Sequence, residues 1–192
     1  MNKIIFKIVH RLINSGLIEK SDEAVYSYRV EVLLLKLVGI LLIGTIGVLS
    51  KKYLETFVFY LAFSRLRAYT NGYHSKNYAL CLLQSAFAYI LICEVFFECF
   101  IKILPLSHLI TFISMAVIYA LAPVNSDAIN LSKKEIVKHR KMIKKILIIY
   151  SVFLPALIHF KAGLGLVVYF EMAIMFDMLL VVVGKVVYKD CQ

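Results

Sequence analysis

The sequence predicts an all-α fold. It is a polytopic membrane helical bundle of about six hydrophobic segments, one of them short enough to be re-entrant, with an amphipathic N-terminal interfacial helix. Three observations predict it. Of 192 residues, 61% are hydrophobic, where a water-soluble domain carries about 45–50%. The apolar residues come in long runs, and a bilayer core takes about 20 residues of helix. The breaks between runs are rich in Lys and Arg, and the formal net charge is +10, the pattern of basic loops kept on the cytosolic side of a membrane.

The chain opens with MNKIIFKIVHRLINSGL. Ile4, Ile5, Ile8, Val9, Leu12 and Ile13 recur at helical spacing, with Lys3, Lys7, His10 and Arg11 toward the other side. Residues 1–18 are therefore expected as an amphipathic helix, too charged to cross the bilayer. No small-residue cleavage site follows a short apolar core, so a removable signal peptide is not expected. The first span is expected at about Val30 to Ser50, with Lys36 its one interior cation and Lys51 and Lys52 closing it. A shorter apolar run, Tyr53 to Ser64, stops before Arg65 and Arg67; segments of that length are re-entrant, tilted or buried as readily as they span. A long helix is expected over Tyr78 to Leu104, broken by Pro105, then a span from Leu106 to Ala122. Residues 123–145 read as a basic cytosolic loop, and two last spans follow at about Ile146 to Phe160 and Ala162 to Val183. The whole of 1–192 reads as one integral-membrane domain. With the short run counted as a span, the basic loop puts both termini and residues 65–77 in the cytosol, while Lys51 and Lys52 fall outside.

Several function classes drop out. No nucleic-acid-binding motif accompanies the charge, and anionic membrane lipid accounts for it. Cys81, Cys93, Cys99 and Cys191 form no Cys-x-x-Cys pair and no zinc spacing, so neither a metal nor a disulfide framework is expected. No internal repeat points to an inverted-repeat transporter. A small transporter or channel is the alternative from another class, with Lys36, Glu94, Glu98, Glu171 and Asp177 as the charges that would line its path.

The informative stretch is RAYTNGYHSKNYALC, Arg67 to Cys81. A thiolate is a strong nucleophile, but a free thiol is mostly protonated at neutral pH. A neighbouring imidazole can take that proton, so His74 with Cys81 is a minimal acyl-transfer pair. Seven residues of straight helix would separate them by about 10 Å along the axis, beyond the roughly 3 Å of a hydrogen bond. The pair therefore requires a bend, and Asn71-Gly72 is a turn signal in the right place. Ser75 or Asn77 would then cap a helix carrying Cys81. A solvated His and a packing Cys are the bland reading of the same residues.

Arg67, Gly72, His74 and Cys81, spaced R-x4-G-x-H-x6-C, resemble the accessory gene regulator B (AgrB) family of bacterial membrane peptidases. The length, the amphipathic N-terminus, the run of spans and the polar segment APVNSDAINLSKKE are similar too. Where the family commonly has two adjacent glycines before the histidine, this chain has Asn71 and Gly72; asparagine also tolerates a left-handed backbone. Asn130-Leu131-Ser132 stands where relatives often carry Asn-Lys-Pro.

The resemblance implies a cell-membrane endopeptidase that processes the precursor of a quorum-sensing peptide from the cytosolic side. Cys81 would be the nucleophile and His74 the general base. A thioester to Cys81 would then be captured by a Cys or Ser of the peptide, closing a thiolactone or lactone. Arg67, Gly72 and Pro123 would bind substrate or support the site. No cofactor is implied, and a homodimer is.

Overall fold

In the computed structural model the structure describes residues 2–73, 78–125, 131–159 and 163–188. Among the described residues the regular structure is helical, with no strand. The chain divides into two units, residues 1–45 and 46–192.

The first unit begins with helix α1 (Asn2–Asn14). Ile5 and Val9, one turn apart, are buried, while Phe6 is exposed. The expected two-sided helix is thus present. It ends where Gly16 takes a left-handed conformation, φ 71°. Gly16 N–H donates to Ile13 O and Leu17 N–H to Leu12 O, at 2.9 and 3.1 Å, a Schellman ending that satisfies carbonyls the helix leaves open. A short 3₁₀ turn (Lys20–Asp22) leads into α2 (Glu23–Leu49), which runs across the unit boundary. α2 stops in the same way, with Lys51 at φ 57° and Lys52 N–H donating to Gly47 O at 2.9 Å.

The second unit holds α3 (Tyr53–Thr70), α4 (Tyr78–Ile90), a π-helical turn (Leu91–Val95), α5 (Phe97–Lys102), α6 (Leu104–Leu121), α7 (Lys133–His159) and α8 (Leu164–Val187). α8 is its central element. Val167 to Ile174 are buried without interruption, as expected of a helix that is apolar on all sides and covered by others. It packs chiefly on α3 and α6. Among the described residues four helical stretches are long and apolar enough to cross a membrane: residues 20–49, α6, α7 and α8. The protein is therefore a helical membrane bundle.

Three segments differ from expectation. The short run beginning at Tyr53 does not stop at Ser64; α3 continues through Arg65 and Arg67 to Thr70. It buries Thr56, Phe59, Ala62, Leu66 and Thr70, a stripe at helical spacing that small and polar residues hid from the hydropathy pattern. The long helix expected over 78–104 is interrupted at Leu91–Val95. The wider π turn coincides with a polar contact: Tyr169 Oη donates to Cys93 O at 3.0 Å. Pro105 lies in the first turn of α6, where its missing N–H costs nothing.

Thirdly, Lys133 to Lys145, expected within a loop, are helical and form the start of α7. A capping box begins them. Ser132 N–H and Oγ donate to Glu135 Oε2 at 2.9 and 2.7 Å, and Glu135 N–H reaches back to Ser132 Oγ at 3.4 Å. Ser-x-x-Glu before a helix is a recognised start signal, and here it carries the basic residues into the helix that becomes a span.

Candidate functional site

The site is built on the end of α3. Asn71 has φ 51° and ψ 30°, the left-handed conformation that stops a helix and turns the chain. The chain therefore turns at Asn71, and the described part of α4 runs from Tyr78. Cys81 falls in the first turn of α4; its side chain lies outside the described residues, as does His74.

A helix end leaves its last carbonyls without intrahelical partners, and here other elements satisfy them. His139 Nδ1 of α7 donates to Tyr69 O at 3.0 Å, with its ring edge-on to Tyr69. Val124 N–H donates to Thr70 O at 2.9 Å. Val124 follows Pro123, whose peptide bond with Ala122 is cis, and α6 ends just before them at Leu121. The Pro123 segment thus lies against the turn and ties it to the end of α6.

Arg67 acts from inside α3. Its Nη2 donates to Gly72 O at 3.1 Å and also to Tyr73 O. A guanidinium presents several donors in a fixed fork, so one side chain holds two consecutive carbonyls of the turn. This also explains how α3 continues past its cations: the charge of Arg67 is directed at backbone dipoles of the turn rather than at lipid.

α8 forms the floor. Asp177, Leu180 and Gly184 recur at three- and four-residue spacing and so share one face. Thr70 Oγ1 donates to Asp177 Oδ1 at 3.1 Å. Tyr73 N–H donates to Leu180 O at 2.8 Å. A Cβ on Gly184 would lie 2.8 Å from Tyr73 N and 3.1 Å from Gly72 C; glycine there lets the turn approach the helix backbone. Gly72 is constrained equally, since its Cβ would lie 2.7 Å from both the carbonyl carbon and oxygen of Leu180. Thr70 and Asp177 are completely buried.

The structure brings Arg67, Gly72 and the Pro123 segment together around one turn. Sequence reasoning missed Thr70, His139, Leu180 and Gly184 as parts of this arrangement. Asp177 had been noted only as a path-lining charge. Its signal was a carboxylate inside an apolar span, which by default marks a functional position; nothing in the sequence named its partner.

Other polar residues lie elsewhere. Glu171 is completely buried and takes hydrogen bonds from Ser107 Oγ at 2.7 Å and from His108 Nδ1. That cluster joins the first turns of α6 to α8, about 1.7 helical turns from Asp177, and each carboxylate has its own partner helix. Ser114 bonds within α6, to Ile110 O at 2.8 Å, and Asn125 Oδ1 accepts from Leu131 N–H at 3.1 Å. Lys52 lies 4.4 Å over the ring of Phe97.

No match was found among curated proteins or among solved structures. The family model described as accessory gene regulator B matches residues 3–184. That range takes in both units, the Arg67–Cys81 stretch and the α8 floor. The chain belongs to the accessory gene regulator B family, whose members take part in processing quorum-sensing peptides.

Proposed function

We propose that this protein is a membrane-embedded cysteine endopeptidase that removes the C-terminal segment of an autoinducing-peptide precursor and promotes closure of a thiolactone or lactone. One observation carries the reading. α3 stops at a left-handed Asn71, so the chain turns just ahead of the stretch that carries His74, as the pairing of His74 with Cys81 calls for. Family membership supports it independently.

The chemistry runs as acyl transfer. His74 takes the proton of the Cys81 thiol, and the thiolate attacks the carbonyl carbon of the scissile peptide bond. The protonated imidazole then gives its proton to the leaving amine as the C–N bond breaks. The signal region remains as a thioester on Cys81. A thiol or hydroxyl within the peptide attacks that thioester, closes the ring and releases Cys81. A site sunk in a helical bundle keeps water from intercepting the thioester. Thioester exchange also conserves the acyl bond's energy, which favours cyclisation over hydrolysis.

The remaining partners follow from the same reading. The catalytic turn faces the cytosol, on the side of the basic first turns of α7. The precursor, with an amphipathic leader and an acidic tail, collects at that surface. The protein works as a homodimer.

Co-expression with the precursor tests the proposal. Cys81→Ala and His74→Ala each abolish cleavage while the amount of protein in the membrane is unchanged. Full cleavage by the Cys81→Ala variant would sink it.

A further inference from the structure

We propose that Asp177 is a positioning residue for this reaction: through Thr70 it holds the turn at residues 71–73 in the register that the acyl-transfer pair requires. The inference rests on the peptidase reading above and names the buried group on which its geometry depends.

A carboxylate in the middle of a membrane helix is expensive to desolvate, and a buried polar group is retained only where it is hydrogen-bonded. Asp177 is completely buried in α8, and one of its oxygens accepts from the equally buried Thr70. Thr70 is the last residue of α3, immediately before left-handed Asn71. The bond therefore acts where the helix becomes the turn. One turn earlier on α3, Arg67 grips the carbonyls of Gly72 and Tyr73 with its guanidinium.

Further along the same face of α8, Leu180 O takes the Tyr73 amide and Gly184 makes room for it. The turn is thus held at both ends by one helix face. Thr70–Asp177 secures the entrance and Tyr73–Leu180 the exit. Backbone groups and a glycine supply the exit contacts, and at the entrance Asp177 contributes a side-chain acceptor. Its other oxygen, Oδ2, is buried without a hydrogen-bond partner among the described residues, as is Nδ2 of Asn71.

The test uses the full chain in liposomes with Cys93, Cys99 and Cys191 replaced by Ala, so that Cys81 is the only thiol. Two readouts are taken: steady-state cleavage of the precursor, and the pH dependence of Cys81 alkylation by iodoacetamide without substrate. Asp177→Ala is expected to lower kcat about 100-fold with KM unchanged, the scale of an ångström-level misplacement. It also moves the alkylation inflection up toward the ordinary thiol value of about 8.5. Thr70→Val reproduces both effects and Thr70→Ser restores the parent behaviour. Glu171→Gln, which alters an equally buried carboxylate on the same helix, leaves the alkylation profile in place.

Should Asp177→Ala fail to accumulate, Thr70→Val, which removes the donor and keeps the side chain's shape, carries the same two measurements. A kcat within twofold of the parent together with an unmoved inflection overturns the proposal. Cleavage that survives in Cys81→Ala overturns the peptidase reading instead, so the two failures are told apart.

Discussion

Replacing Gly184 by alanine adds one methyl group, and the structure says where it goes. The new Cβ lies 2.8 Å from Tyr73 N, 3.1 Å from Gly72 C and 3.3 Å from Val124 Cγ1, where ordinary contact begins at 3.4 Å. The turn must therefore retreat from α8 by about 0.6 Å. That displacement stretches the Tyr73–Leu180 hydrogen bond, now 2.8 Å, to the edge of the useful range. Overpacking costs about 1–3 kcal/mol. Alanine is favoured over glycine in a helix interior by about 1 kcal/mol, which offsets part of it. The fold should therefore lose no more than about 2 kcal/mol, while a sub-ångström shift of the turn that leads to residue 74 should slow cleavage on the order of 10- to 100-fold. The assay is precursor cleavage at matched amounts of protein in the membrane. Gly44→Ala is the control, because a Cβ there meets nothing within 4 Å. Cleavage by Gly184→Ala at the rate of Gly44→Ala would refute the reasoning, since it would mean the turn's distance from α8 is irrelevant to activity.

Two other outcomes are expected. Arg67→Lys keeps the charge but loses the fork that grips Gly72 O and Tyr73 O, so cleavage should fall at least about 10-fold; a fully active variant would show that charge alone suffices. Neutralising Lys133, Lys134 and Lys138 together, at the exposed start of α7, should slow processing more at low salt than at high salt, because steering by surface charge is screened; equal rates for variant and parent in both conditions would remove steering from the account.

Much of this was legible in the residues. The Asn71-Gly72 turn could be read because a left-handed conformation is a preference of the residue itself, and Asn71 adopts it. The two-sided N-terminal helix could be read from spacing. The long apolar runs could be read as helices of a membrane bundle, since composition and run length decide that class. What could not be read was the course of segments whose polar residues have distant partners. Arg65 and Arg67 read as the end of a hydrophobic element, yet α3 passes through them, and the turn beyond Thr70 supplies acceptors for Arg67. Lys133 to Lys145 read as a loop because their charge is dense, and the Ser132–Glu135 capping box is the local signal for a helix there. The π turn at Leu91–Val95 left no mark in the hydropathy of its residues.

The sequence by itself determined that this is a helical membrane protein, that Asn71-Gly72 is a place for the chain to turn, and that its motifs are those of the accessory gene regulator B family. These are properties of composition, of single residues and of short spacings. The tertiary structure alone decided that Asp177 meets Thr70, 107 residues away, and that Gly184 makes room for Tyr73. It also decided that Glu171 belongs to Ser107 and His108. Two carboxylates on one apolar helix look alike in sequence. They differ only in which neighbouring helix offers each a donor, and that is settled by packing over distances no local pattern encodes.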